Sequence, residues 1–436
     1  MKKMLLIYNA HLVDRELDIK KGAILINGSK IEGIVSNEAA KKLLLDKEVS
    51  SYDAEGCLVT PSFVDMHAHF RDPGLTQKED IVSGCHAAAA GGFGTLVLMP
   101  NTKPVVSSLE MAEKNNKKAE ETGLCQVFQS VSITEGFDGK TTNHLDKINS
   151  KKIPLITEDG KEVLDTSVML EGMKKAAAKK VIVSCHCEDP FLHDQATALR
   201  TKALKSTDQK KKIAYLKEAE RLLEIAEDVL TFRNIRLAEE AKCHLHLCHV
   251  STAESIDAVR RAKKAGVNVT CEITPHHIGL NTKNSANQLQ IVNPPLRSEE
   301  NQKALIEALR DGTASCIATD HAPHTEEDKK NGAPGFSGLE TAFSVCYKSL
   351  VLENNFSLKH LSALMSANPA ELLGLKDRGL LAEGYLANIT IIDLNKKWTV
   401  RGEEFASRGK YTPLEGKQLP GEIRATFFNG EIVFQA

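Results

Sequence analysis

With 436 residues, 42% of them hydrophobic, the chain can bury a full-sized core, which excludes a disordered protein and a minimal domain stapled by disulfides. Its 56 lysines and arginines against 58 aspartates and glutamates leave a net charge of −2, so no global basic field draws it to nucleic acid or to an anionic membrane. Ten cysteines without a Cys-x-x-Cys pair, and no run of about 18 apolar residues, point to a soluble protein of the reducing cytoplasm.

The chain opens on MKKMLLIYNAHLV, whose apolar run is ended by Asp14 and Arg15 before a signal-peptide core could form, so it reads as a strand. Residues 1–57 continue in short β-rich runs punctuated by Gly, Asn and Asp, and residues 381–436 return to that texture with YLANITIIDL, IRATFFNG and EIVFQA. The two ends are expected to form one small β-sandwich flanking a continuous middle, residues 58–380.

In that middle, apolar runs of about five to eight residues alternate with helix-compatible stretches, the pattern of βα units around a parallel sheet. LVTPSFVDMH, TLVLMP, QVFQSVSI, IPLITEDG, VIVSCHCE, HLHLCHVS, VNVTCEITPHH and ASCIATDHAP make eight runs, which fits an α/β fold of the (β/α)8 TIM-like barrel type. An open doubly wound sheet is the competing architecture. It would gather polar residues near one switch point, whereas here they fall at the ends of several runs. The charged segment between His186 and His249 has apolar residues at Leu216, Leu222, Leu223, Ala226, Val229 and Leu230, so it reads as helix with a solvated face.

The strongest local signal is Asp65-Met66-His67-Ala68-His69-Phe70-Arg71. Histidines at i and i+2 on a strand point the same way, so one strand end can aim two imidazoles at one metal. Taken alone, the pair is as well explained by half-buried histidines in ordinary hydrogen bonds. Recurrence shifts the balance, because Asp159, His186, His249 and Asp320 each end another run. Four imidazoles and two carboxylates suit zinc or a similar divalent ion, and they exceed what one tetrahedral ion needs, so two ions sharing a carboxylate are expected. His11, His86, His144, His193 and His360 are assigned structural roles. His244 and His246 share a phase opposite to that of His249, His276 and His277 are wall residues, and His321 points away from Asp320. Cys185 and Cys187 flank His186 and therefore face away from it. No Walker lysine, Gly-x-Gly-x-x-Gly or Gly-x-Ser-x-Gly motif supports phosphate cradling or an acyl-enzyme.

GCLVTPSFVDMHAHFRDPG, with AAAAGGFGTLVLMPNTKPV, ITEDG, HCED, HVST, VNPPLR and ATDHAPHT, closely resembles the class I dihydroorotases of the amidohydrolase superfamily over nearly the whole chain. His-x-His belongs to the superfamily at large, hydantoinases and allantoinases included, whereas HFRDPG, MPNT and ATDHAPHT are more specific. The resemblance implies His67 and His69 as ligands of a first metal, His186 and His249 as ligands of a second, Asp159 as their bridge, and Asp320 as last ligand and catalytic acid/base. Related enzymes bridge their metals with a carboxylated lysine, which makes Lys161 the alternative to Asp159. The resemblance also implies His69, Arg71, Asn101, Asn293 and His324 as substrate-binding residues, and an Arg fork suits a carboxylate. The competing explanation for Arg71 is a surface salt bridge. APGFSGLET departs from the family's spacing, which leaves the contacts of Gly335 and Phe336 open, and the lysine-rich stretch after His193 replaces a Gly-Pro-rich one.

The implied activity is zinc-dependent, reversible cyclisation of N-carbamoyl-L-aspartate to L-dihydroorotate in pyrimidine biosynthesis, with metal-activated water as nucleophile and Asp320 moving the proton. The alternatives are a hydantoinase- or allantoinase-type cyclic amidase, and a non-catalytic scaffold for aspartate transcarbamoylase, which would be expected to have lost metal ligands. The expected partner is the small-molecule substrate, with a homodimer and association with aspartate transcarbamoylase left open.

Overall fold

The computed structural model describes residues 4–283 and 292–436; Lys2 and Lys3, at the charged start of the first expected strand, lie outside the described residues. Five strands open the chain: β1 (Met4–Val13), β2 (Asp18–Asn27), β3 (Lys30–Val35), β4 (Val49–Asp53) and β5 (Leu58–Pro61). β2 and β3 close as a hairpin over Gly28 and Ser29, with Gly28 at φ 59°, a left-handed conformation that glycine adopts without a Cβ clash.

The run LVTPSFVDMH, expected as one strand, is two. Ser62 donates its N–H to Asn388 in the C-terminal segment, and Phe63 donates the next one to Gly92, so the backbone changes sheets between consecutive residues. From there the parallel strands are β6 (Phe63–Ala68), β7 (Phe93–Leu98), β8 (Gln126–Gln129), β9 (Leu155–Thr157), β10 (Ile182–Cys185), β11 (Leu245–Leu247), β12 (Val269–Ile273) and β13 (Cys316–Ile317). Each of the eight expected runs contributes one of them.

β6 to β8 form a three-stranded arc and β9 to β13 a five-stranded one, in chain order. Isolated parallel bridges join the arcs at both seams, Val131 to Ile156 on one side and Ala68 to His321 on the other. Every residue of β6 and β7 is buried, as in a parallel sheet covered on both faces. The helix Ile81–Ala90 starts on a capping box between Asp80 and Ser83 and presses Gly84 onto the ring of Phe70, where a Cβ would come within 2.5 Å.

The lysine-rich stretch folds as two helices, Pro190–Lys205 and Gln209–Ala241. Leu223, Ala226 and Leu230 are buried as expected, but Val229 is 43% exposed. The buried face instead includes Glu227, whose carboxylate accepts from the backbone of Ser251 and Thr252 and pairs with Arg297 at 3.1 Å.

Three strands end the chain: β14 (Ile389–Thr399), β15 (Gln418–Phe428) and β16 (Glu431–Gln435). They join the N-terminal strands in the order β16-β15-β14-β5-β1-β2-β3, with β4 also on β1. The hydrogen bonds run through these strands as one continuous eight-stranded sheet, in which β14 pairs directly with β5. The fold is thus a parallel α/β core with a small β domain drawn from both ends of the chain.

Candidate metal centre

His67 and His69 stand at the end of β6, and Asp320 stands just past β13 across the seam. Asp65 stitches the two together: its carboxylate accepts from the N–H and hydroxyl of Thr319 and from the N–H of His67 at 3.1 Å. Burial pushes the Asp65 carboxyl up to about 7 against those hydrogen bonds. Three residues of the site hold positive φ without being glycine: Arg71 at 57°, His249 at 32° and Asp320 at 49°. Such conformations cost about 1–3 kcal/mol each and persist where the surroundings over-determine them.

The six residues expected as ligands come together. His67 Nε2 lies 3.3 Å from His69 Nε2 and 3.4 Å from Asp159 Oδ1, and His69 Nε2 lies 3.2 Å from Asp320 Oδ1. On the other side His186 Nδ1 lies 2.9 Å from His249 Nε2, and these two atoms are 3.8 and 3.7 Å from Asp159 Oδ1. His67, His69 and Asp320 make one group whose ligand atoms all fall within 4.8 Å of one another, and Asp159, His186 and His249 make a second. Asp159 stands between them. A further set, His67, Asp159 and Cys248, meets the same criterion.

Asp159 Oδ1 is buried with no hydrogen-bond partner, and around it imidazole nitrogens face one another and carboxylates. Buried polar atoms are nearly always paired, and this donor set converges lone pairs where a cation would satisfy them. The electrostatics agree. Burial works to raise the Asp159 and Asp320 carboxyls, but the charge of His67 and contacts from His249 hold Asp159 well below the usual range, and the hydrogen bond from His69 with the nearby imidazoles holds Asp320 at about 2. Burial opposes charge on His186 too, yet Glu188 and Asp159 lift it to about 9. The field that draws protons onto these imidazoles is the field that would draw a metal ion.

A second layer orients the first. His67 Nδ1 lies 2.8 Å from Glu272, His69 Nδ1 lies 2.9 Å from Asn101 Oδ1, and His186 Nε2 lies 3.5 Å from Glu188. Asn101 and Asn293, expected at the substrate, turn their amides to site residues: Asn101 Nδ2 reaches Asp159 at 3.5 Å and Asn293 Nδ2 donates to Glu188 at 3.0 Å. Lys161, the alternative bridge, is exposed and donates to the Phe137 carbonyl at 2.9 Å. Asp65, Glu188 and Glu272 were missed by the reading of the sequence. Glu188 carried a signal, two residues from His186 at the end of the run VIVSCHCE, and Glu272 carried another, a carboxylate inside an otherwise uncharged run.

At the rim, Arg71 Nη2 lies 3.4 Å from His324 Nε2, and Arg71 Nε is buried without a partner. Lys78 Nζ approaches the other ring nitrogen of His324, Nδ1, at 3.4 Å. Burial and the charges of Arg71 and Lys78 push His324 down to about 3, so it is neutral. Gly335 has φ 116°, and a Cβ there would come within 2.7 Å of the Ala322 carbonyl. Phe336 is buried against the His276 ring, centroid to centroid 5.0 Å. His321 turns away from Asp320, 3.4 Å from Glu79 and accepting the Gly338 N–H, as its phase implied.

The profile of the amidohydrolase family matches residues 58–433. A dihydroorotase of Clostridium botulinum (strain Eklund 17B / Type B) is 40% identical over 432 residues, 99% of each chain. One of Geobacillus sp. (strain WCH70) is 40% identical over 428 residues, 96% of this chain and 94% of the other. Among solved structures, an L-hydantoinase (dihydropyrimidinase) of Arthrobacter aurescens superposes with a TM-score of 0.86 at 24% identity, covering 100% of this chain and 96% of that one. A D-hydantoinase (dihydropyrimidinase) of Thermus sp. does so with 0.83 at 24% identity, covering 99% and 96%. At these identities the structural likeness shows the fold, a TIM-type barrel with a small second domain.

Proposed function

The chain belongs to the amidohydrolase family, and on that premise we propose that it is a hydrolase acting on a cyclic amide, a dihydroorotase that interconverts N-carbamoyl-L-aspartate and L-dihydroorotate in pyrimidine biosynthesis. The observation that carries this reading is the end-to-end likeness to dihydroorotases. In this reading residues 58–380 form a closed (β/α)8 barrel that carries the chemistry, and residues 1–57 and 381–436 the flanking β-sandwich. No helix among the described residues is long and apolar enough to cross a membrane, and the cytoplasm is the proposed compartment.

The orphaned Asp159 Oδ1 and the six convergent ligands fit a metal, and we propose two zinc ions, with His67, His69 and Asp320 around one, His186 and His249 at the other, and Asp159 shared. When bound, such ions lower the pKa of water to give a nucleophile at neutral pH and polarise an amide carbonyl.

The chain's own residues supply the rest. The guanidinium of Arg71, with its unpartnered Nε, pairs with the substrate carboxylate, and neutral His324 and Asn101 add oriented hydrogen bonds. His69 and Asn293 border the bound ring. Asp320 is ionised and buried beside His69, so in ring opening it takes the proton of the attacking water and returns it to the departing ring nitrogen; ring closure runs the same transfer backwards.

A second reading, a hydantoinase-type amidase, is favoured by the structural neighbours' names. Arg71 speaks for the first, since a hydantoin ring carries no carboxylate for it to bind. Turnover of carbamoyl-aspartate and dihydroorotate by purified protein, lost on chelation and restored by zinc, is the expected result; turnover of hydantoins alone would overturn it. A homodimer and an assembly with aspartate transcarbamoylase are the proposed associations, each read by light scattering with and without the transferase.

A further inference from the structure

Glu272 lies in the middle of a hydrogen-bonded line beneath the metal centre. It is the only acid in β12, its carboxylate is fully buried, and it receives three donors. His67 Nδ1 lies 2.8 Å from Oε1, the N–H of His249 reaches the same oxygen at 3.2 Å, and His246 Nε2 lies 3.0 Å from Oε2. A carboxylate only accepts, so each imidazole presents its N–H to it. His67 therefore presents Nδ1–H to Glu272, and Nε2 is the ring atom that faces Asp159 and Asp320.

The line continues away from the centre. His246 Nδ1 lies 2.9 Å from the Thr270 hydroxyl, and His244 Nε2 lies 2.9 Å from the same oxygen. His246 donates to Glu272, and the Thr270 hydroxyl, which also reaches the Leu245 carbonyl at 3.4 Å, links His246 to His244. A buried carboxylate is costly unless it is hydrogen-bonded. Here the compensation comes from both halves of the centre at once: the side chain of His67, and the backbone of His249 at its φ of 32°.

We infer that Glu272 is a positioning residue that holds His67 with Nε2 toward the metal and clamps the turn carrying His249, so that one carboxylate keeps the two halves of the centre in register, anchored by His246 and Thr270. This rests on the reading that these imidazoles bind a divalent ion, and the test separates the two. Zinc and cobalt(II) affinities are measured on the full chain by competition with a chelator of known affinity, first for the parent, then for Glu272→Gln, Glu272→Asp and His246→Gln.

Glu272→Gln keeps the size but turns an NH2 toward a donor. It is expected to weaken zinc by about 10- to 100-fold, to change the visible spectrum of the cobalt(II) form, and to lower kcat with little change in KM. The melting temperature of its metal-free form is expected to stay close to the metal-free parent's. Glu272→Asp, which keeps the carboxylate, is expected to recover part of the affinity. Parent-like affinity with an unchanged cobalt spectrum in Glu272→Gln overturns the inference, as does a loss of affinity that merely follows the metal-free melting temperature across the variants. If Glu272→Gln does not fold, His246→Gln decides: it leaves the carboxylate in place, weaker zinc binding is expected, and unchanged binding overturns the inference. A parent chain that binds neither ion overturns the metal reading itself, before any substitution is made.

Discussion

At the scale of single residues, the proposed reaction divides its chemistry between Asp320 and Arg71. Asp320→Asn keeps the shape of the side chain but removes the group that carries the proton, so kcat is expected to fall about 10²- to 10⁴-fold, with metal content measured on the same sample. Near-normal turnover would remove Asp320 from the mechanism. Arg71→Lys replaces a planar fork by a point charge, and the loss of a charge-assisted pair worth about 1.5–3 kcal/mol is expected to lower kcat/KM for dihydroorotate about 10- to 100-fold. A third prediction concerns pH. Burial pushes the Glu340 carboxyl up to about 7, although it accepts the N–H groups of Ala406 and Ser407. A raised carboxyl stabilises the fold below its unfolded pKa, near 4.5, and that contribution is lost as pH rises to about 7. Chemical denaturation across this window is expected to favour Glu340→Gln over the parent progressively, by at most about 3 kcal/mol. The six metal-type residues were legible in the sequence because each ends an apolar run. Asn101 and Asn293 were legible only as residues of the site, since nothing in one dimension shows that their amides face His69 and Glu188.

At the scale of elements, the site depends on how helices meet strands. Gly84→Ala would drive a methyl into the ring of Phe70, which stands between His69 and Arg71 in sequence. Overpacking of this kind is expected to cost about 1–3 kcal/mol in a denaturant titration and to lower turnover, because the strained ring lies beside two residues of the site. A fully stable and fully active variant would show that the helix can shift without disturbing the end of β6. The eight runs were visible as strands because a parallel sheet covered on both faces needs continuous apolar stretches. The break at Ser62 was not, since Leu58–Pro61 and Phe63–Ala68 are equally apolar and only the partners of consecutive N–H groups separate them. Val229 shows the converse: its spacing suits the buried face, yet the structure gives burial to Glu227, because Arg297 and the turn at Ser251 arrive from distant sequence to pair with it.

For the whole molecule, the centre joins strands from both arcs, so a bound metal should stabilise the fold and not the site alone. At a metal concentration about 1,000 times the dissociation constant, linkage supplies about 4 kcal/mol, and calorimetry is expected to show a lower melting temperature after chelation, restored by zinc. Unchanged melting would mean that the ligands are held without the ion. The sequence by itself determined the period of the strands, the β texture of both ends and the six residues that the structure brings together as candidate ligands, because these depend on local alternation and on residue type at strand ends. Only the tertiary structure decided that Asp159 and not Lys161 faces the imidazoles, that Asp65 binds Thr319 across the seam, and that Glu272 ties His67 to the turn at His249. Those outcomes depend on which groups remote in sequence arrive to satisfy a buried charge, and that is fixed when the arcs pack together.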